Sequence, residues 1–144
     1  MALQGRIPVT HDMVFPHGAM VRGEVTQVDD FDQSTKDNRV QEIDKVTKLR
    51  VWQVRVDDLD GEARKGQETI TVKILADVCP SLPDPISDKI PYRPVEFTGM
   101  TVTPYVDDSR GRPRIAYSFR ATGVQAPGSS QSGRREKSSD QQAA

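Results

Sequence analysis

The residues able to do chemistry in this chain are mostly charged, and their placement suits holding an anion better than breaking a bond. Arg22, Arg50, Arg55, Lys73, Arg114 and Arg120 fall in segments of alternating polarity, whereas acids gather as Asp29-Asp30, Asp57-Asp58 and Asp107-Asp108 in polar loops. Carboxylates at such positions ordinarily cap turns by accepting local backbone N–H groups. A nuclease built from them would also need Mg²⁺ and an adjacent cation. The chain has no glycine-rich phosphate cradle, no nucleophile elbow and no His pair at helical spacing. Two histidines, His11 and His17, and the single Cys79 are too few for a structural zinc site, and one cysteine cannot make an internal disulfide. The acidic loop at 29–39 lacks a glycine where a calcium loop must turn sharply. These patterns predict a protein that is not an enzyme and that uses no metal and no cofactor.

Positioning the cations falls to β-strands. Residues 49–56 read Leu-Arg-Val-Trp-Gln-Val-Arg-Val and residues 69–75 read Thr-Ile-Thr-Val-Lys-Ile-Leu. Both alternate at period two and are rich in β-branched residues, so each is expected to bury one face. Trp52, Val54 and Val56 share one side of the first strand, leaving Gln53 and Arg55 on the other. On the second strand Ile70, Val72 and Ile74 oppose Thr71 and Lys73. Residues 19–28 form an earlier strand with Gly23 inside it, the sign of a bulge or bend. Residues 40–48 resume alternation and include a tight turn within a long hairpin. Residues 62–65, between two glycines, are expected to make one helical turn.

Pro80, Pro83, Pro85, Pro91 and Pro94 make residues 76–94 an irregular connection, because proline removes backbone donors and resists helix and sheet interiors. A hairpin follows, with Val95, Phe97, Met100 and Val102 inward if Gly99 shifts the phase. It turns at 107–111 and returns with Ile115, Tyr117, Phe119 and Ala121 on one face. Tyr105 at the strand end is the aromatic best placed to stack on a base, while Trp52, Tyr117 and Phe119 are expected in the core. Residues 1–18 form an arm packed on the domain. Residues 125–144 have no large apolar side chain to offset the entropy of ordering and are expected to be a disordered tail.

About five strands, no amphipathic helix and a long link between the third and fourth predict an all-β fold, a five-stranded OB-fold-like barrel over residues 19–124. The binding face of that barrel centres on its second and third strands, where Arg55 and Lys73 project. Arg110, Arg112 and Arg114 lie at the flanking hairpin. A formal net charge of −1 means that a cationic face must arise by segregation. The nucleic-acid-binding set expected from the sequence is Arg22, Arg50, Arg55, Lys73, Tyr105, Arg114 and Arg120, with single-stranded DNA as partner through phosphate contacts and base stacking. The competing expectation is a protein-interaction or transcriptional-activator module using the same sheet. No apolar run approaches the roughly 20 residues that span a bilayer, and the first residues lack the apolar stretch of a secretory signal. With one unpaired cysteine, these features predict a cytoplasmic protein.

Several segments also carry a resemblance. Met1-Ala-Leu-Gln-Gly with Val14-Phe-Pro-His-Gly-Ala, Trp52-Gln-Val, Ala63-Arg-Lys-Gly-Gln with Thr71-Val-Lys-Ile, and Arg93-Pro-Val-Glu-Phe with Thr103-Pro-Tyr-Val resemble the plasmid replication, integration and excision activator proteins of actinobacterial integrative elements. The likeness covers most of residues 1–124 and omits the tail. It implies an accessory factor of a mobile genetic element, with replication or recombination proteins as further partners, and it transfers no catalytic or base-reading residue.

Overall fold

The alternating segments become one antiparallel-rich sheet. The computed structural model describes residues 5–61 and 69–128, and within them eight strand segments and one helical turn. In chain order these are β1 (Ile7–Pro8), α1 (His11–Val14), β2 (Ala19–Gln27), β3 (Val51–Asp58), β4 (Thr69–Leu75), β5 (Arg93–Thr98), β6 (Thr101–Asp107), β7 (Arg114–Ala121) and β8 (Gly123–Gln125). The lateral order is β1-β6-β7-β4-β3-β2-β5-β8. Every pairing is antiparallel except β4 with β7, which runs parallel through Val72↔Phe119, Lys73↔Arg120 and Ile74↔Ala121. The sheet curls into a half-barrel.

The count of eight corrects the expected five, and the difference is local. The expected fourth strand breaks at Gly99 into β5, which pairs with β2 and β8, and β6, which pairs with β7. The returning strand breaks at Thr122 into β7 and β8, and the arm adds β1 against β6. Gly99 sits at φ +59°, and a Cβ built there would stand 2.1 Å from the Thr122 Oγ1. The breaks in the two strands thus meet where Gly99 approaches Thr122 too closely for a side chain. Gly23 has φ +84°, and the β2–β3 register slips between Arg22 and Thr26, the bulge expected of it.

The concave side of the sheet holds the core. Val21, Val54, Val56, Val72, Ile74, Val95, Phe97, Met100 and Ala121 are buried there with Phe15 from the arm. Val9 and Val14 pack on the same cluster, so the arm is part of the domain. Trp52 is half-buried with its indole Nε1 donating to the Ala76 carbonyl at 2.9 Å. His11, in the arm, is buried, and its Nδ1 accepts the Phe97 N–H at 3.1 Å between the rings of Phe15 and Phe97. At the other end, Gln125 pairs with Glu96 and the Gly128 N–H donates to the Glu96 carboxylate at 3.0 Å. Ordered chain therefore extends past Val124. The helical turn expected at 62–65 and the rest of the tail lie outside the described residues.

Candidate nucleic-acid interface

Residues opposite one another in a sheet point to the same side, so the register fixes which polar side chains share the outer face. Arg22, Arg55 and Thr71 form one row across β2, β3 and β4. Gln53, Lys73, Arg120 and Thr101 form the next, across β3, β4, β7 and β6. Thr103 and Ser118 are opposite each other one step along, and Tyr105 follows on β6. Between β4 and the diverging β6–β7 pair lies a groove of about 650 Å³ lined by Thr71, Lys73, Thr103, Tyr105, Ser118 and Arg120, with Tyr117 and Phe119 in its wall.

Arg120 in this groove also borders a clasp. Asp44, in the long β2–β3 connection, is only 5% exposed. It accepts both terminal nitrogens of Arg6 and, at 2.8 and 2.9 Å, the backbone N–H and hydroxyl of Thr47. Arg120 lies beside the same carboxylate, 3.9 Å from Nε to Oδ1. Val51 and Leu75, opposite each other, are buried apart from the main core. Hydrogen bonding from Arg6 holds the Asp44 carboxyl well below the usual carboxylate range, and Asp44 raises Arg6 in turn. Burial, then repulsion from Arg6, lowers Arg120 against the pull of Asp44 and, less strongly, of Glu42. Two guanidinium groups sharing one carboxylate leave one positive charge over.

The expected cations do not all stand alike. Arg55 and Lys73 have no carboxylate within ion-pair distance among the described residues and face outward beside each other. Arg22 is on the same face but donates to Asp57 through Nε and a terminal nitrogen at 3.2 and 2.9 Å. Arg114 is 3.7 Å from Asp107, whose carboxyl is held low chiefly by hydrogen bonds from Ser109. Arg50 does not join them. It precedes β3, donates to the Asp77 carbonyl at 3.4 Å and does not line the groove.

Tyr105 is half-exposed in the groove wall, as its place at the strand end suggested. Tyr117, expected in the core, is 55% exposed. The cause is topological: β7 pairs with β4 only through Phe119–Ala121, so its first residues have β6 alone for a neighbour. Thr103 and the Arg6–Asp44 pair were not expected. The Thr103 Oγ1 is buried without a hydrogen-bond partner among the described residues. Among those residues no cluster of side chains is suited to hold a metal, and no helix is long and apolar enough to cross a membrane. No family model matches the chain, and no match was found among curated proteins or solved structures.

Proposed function

We propose that this chain is a non-enzymatic accessory factor that binds single-stranded DNA on the outer face of an OB-type barrel, acting for a mobile genetic element as its resemblance implies. The OB reading is supported by the strand succession β2-β3-β4 followed by parallel β7, with the kinked β5–β6 strand bridging back to β2. In that reading β5–β6 is one strand and β7–β8 another, which restores five. The observation that carries the function is the pair Arg55 and Lys73, unneutralised on an open face, with Arg120 and Tyr105 along the same groove. Backbone phosphates bind to such cations and bases stack on the tyrosine, the two requirements of sequence-tolerant single-strand binding.

The test is a salt titration of oligothymidine binding by fluorescence anisotropy. Each phosphate neutralised contributes about −0.7 to the slope of log K against log salt for a single strand. The Arg55→Gln/Lys73→Gln protein should lose about 1.4 from that slope and keep its melting temperature, since Arg55 is exposed and the half-buried Lys73 forms no ion pair among the described residues. No binding to single- or double-stranded DNA at about 50 mM salt would overturn the reading and pass it to a module that binds a replication initiator or recombinase.

A further inference from the structure

The β6–β7 ribbon leaves the sheet with both faces uncovered. Beyond the last β4 pairing, Pro104 lies opposite Tyr117 and Val106 opposite Ile115. Val106 and Ile115 are 69% and 67% exposed, and Pro104 and Tyr117 are also exposed. Four apolar side chains in two adjacent cross-strand pairs thus make an unpartnered face on the side of the ribbon opposite Tyr105. Exposed apolar patches of this kind mark contact sites. Its small size argues against a protein occupant, because a stable interface engages about 20–30 residues a side. Its surroundings favour DNA. At the tip Arg110, Arg112 and Arg114 outnumber Asp107 and Asp108: Asp107 pairs with Arg114 and attracts Arg110 from farther off, Arg112 forms no ion pair among the described residues, and Tyr117 joins the patch to the groove that holds Lys73 and Arg120.

We propose that the β6–β7 ribbon is a wedge for the junction between single-stranded and duplex DNA, its Pro104–Val106–Ile115–Tyr117 face lying against the terminal base pair. This rests on the DNA-binding reading above and adds the substrate's form to it. One strand continues into the groove past Tyr105 and Lys73, while the tip arginines meet phosphates of the duplex. Apolar side chains set against a base step unstack it, and the unstacking is least costly where pairing already ends. A two-stranded ribbon is also slender enough to enter a major groove.

The experiment compares three probes with the full chain: oligothymidine, a blunt duplex, and a fork with a single-stranded arm of the same length and 2-aminopurine at its last pair. The fork should bind tighter than the single strand by on the order of tenfold, the scale of one base stack, and the 2-aminopurine fluorescence should rise on binding. Val106→Ser with Ile115→Ser alters only exposed positions outside the groove. That variant should melt as the wild type does, keep its affinity for oligothymidine, and lose both the fork preference and the fluorescence rise. Equal binding of fork and single strand by the wild type overturns the wedge and leaves the groove standing. An unchanged fork preference in the variant overturns it too. A wild-type dimer that becomes a monomer on substitution identifies a second copy as the occupant and overturns it as well. Absence of all DNA binding removes both proposals together.

Discussion

Replacing Asp44 tests whether the clasp holds the β2–β3 connection on the sheet. The carboxylate is almost fully buried and receives two charged donors from Arg6 plus two bonds from Thr47. Removing one partner of a buried ion pair costs about 3–5 kcal/mol, because the other charge is stranded. The Arg6 side chain is one-fifth exposed and recovers some hydration, so Asp44→Asn should cost about 2–3 kcal/mol. Asp44→Ala also forfeits both Thr47 bonds at about 1 kcal/mol each and should reach about 4. Urea denaturation at pH 7 measures both, and a cycle with Arg6→Met should return a coupling of about 2 kcal/mol. The same reasoning gives a pH dependence. A carboxyl whose folded-state pKa is depressed stabilises fully above its unfolded value near 3.9, and loses that contribution as pH falls toward the folded one. The wild type should therefore lose stability to acid below about pH 5 faster than Asp44→Asn does. The substitution also takes the pull of Asp44 from Arg120 and leaves only the more weakly coupled Glu42, so the DNA salt slope should steepen. An Asp44→Asn protein within about 0.5 kcal/mol of wild type would refute the clasp as a stabilising device.

Gly99→Ala places a Cβ at φ +59° and against Thr122, and should cost about 2–4 kcal/mol by thermal melting. Adding Thr122→Ala removes the closest atom, so about 1–2 kcal/mol of left-handed strain should remain; full recovery would show that the backbone there is not strained. His11 offers a second pH probe. Burial pushes its imidazole pKa down, against the opposing carboxylates of Glu96 and Asp12. For a base with a depressed folded pKa the unfolded chain takes up the proton first, so stability falls as pH drops below about 6.5. His11→Asn keeps an acceptor for the Phe97 N–H while losing the ring contacts and the titration. Its deficit of about 1–2 kcal/mol at pH 7.5 should narrow toward pH 5, and a deficit constant across that range refutes the role assigned to the ring.

What could be read from the sequence was what depends on near neighbours. Period-two alternation placed β4 at its observed bounds and β2 and β3 within a residue or two, because a half-buried strand imposes its pattern on consecutive residues. The bulge at Gly23 and the phase shift at Gly99 were legible for the same reason, since glycine inside an alternating run signals a local backbone demand. Alternation cannot say where a sheet ends sideways. Ile115 and Tyr117 obey the same period as Phe119 and Ala121, yet only the latter two have β4 beside them. Burial failed where pairing stopped, and pairing with β4 is a contact across more than forty residues of sequence.

The candidate site divides along the same line. Arg55 and Lys73 were visible as cations in phase on adjacent strands, and their sharing a face follows from register alone. Which cations keep their charge available was not visible, because neutralisation is settled by partners that folding brings from elsewhere. Asp57 reaches Arg22 across 35 positions, and Asp44 reaches Arg6 across 38. A chain of net charge −1 offers an attractive groove only through this sorting. Asp57 cancels Arg22 at one edge of the face, and the clasp divides a single carboxylate between Arg6 and Arg120 at the far end. On the outer face of β3, β4 and β7 the uncompensated charge thereby falls on Arg55, Lys73 and the shared surplus at Arg120. Affinity for a polyanion should accordingly respond to substitutions at those three positions and little to Arg22 or Arg50, although all five look equivalent when only the order of residues is known.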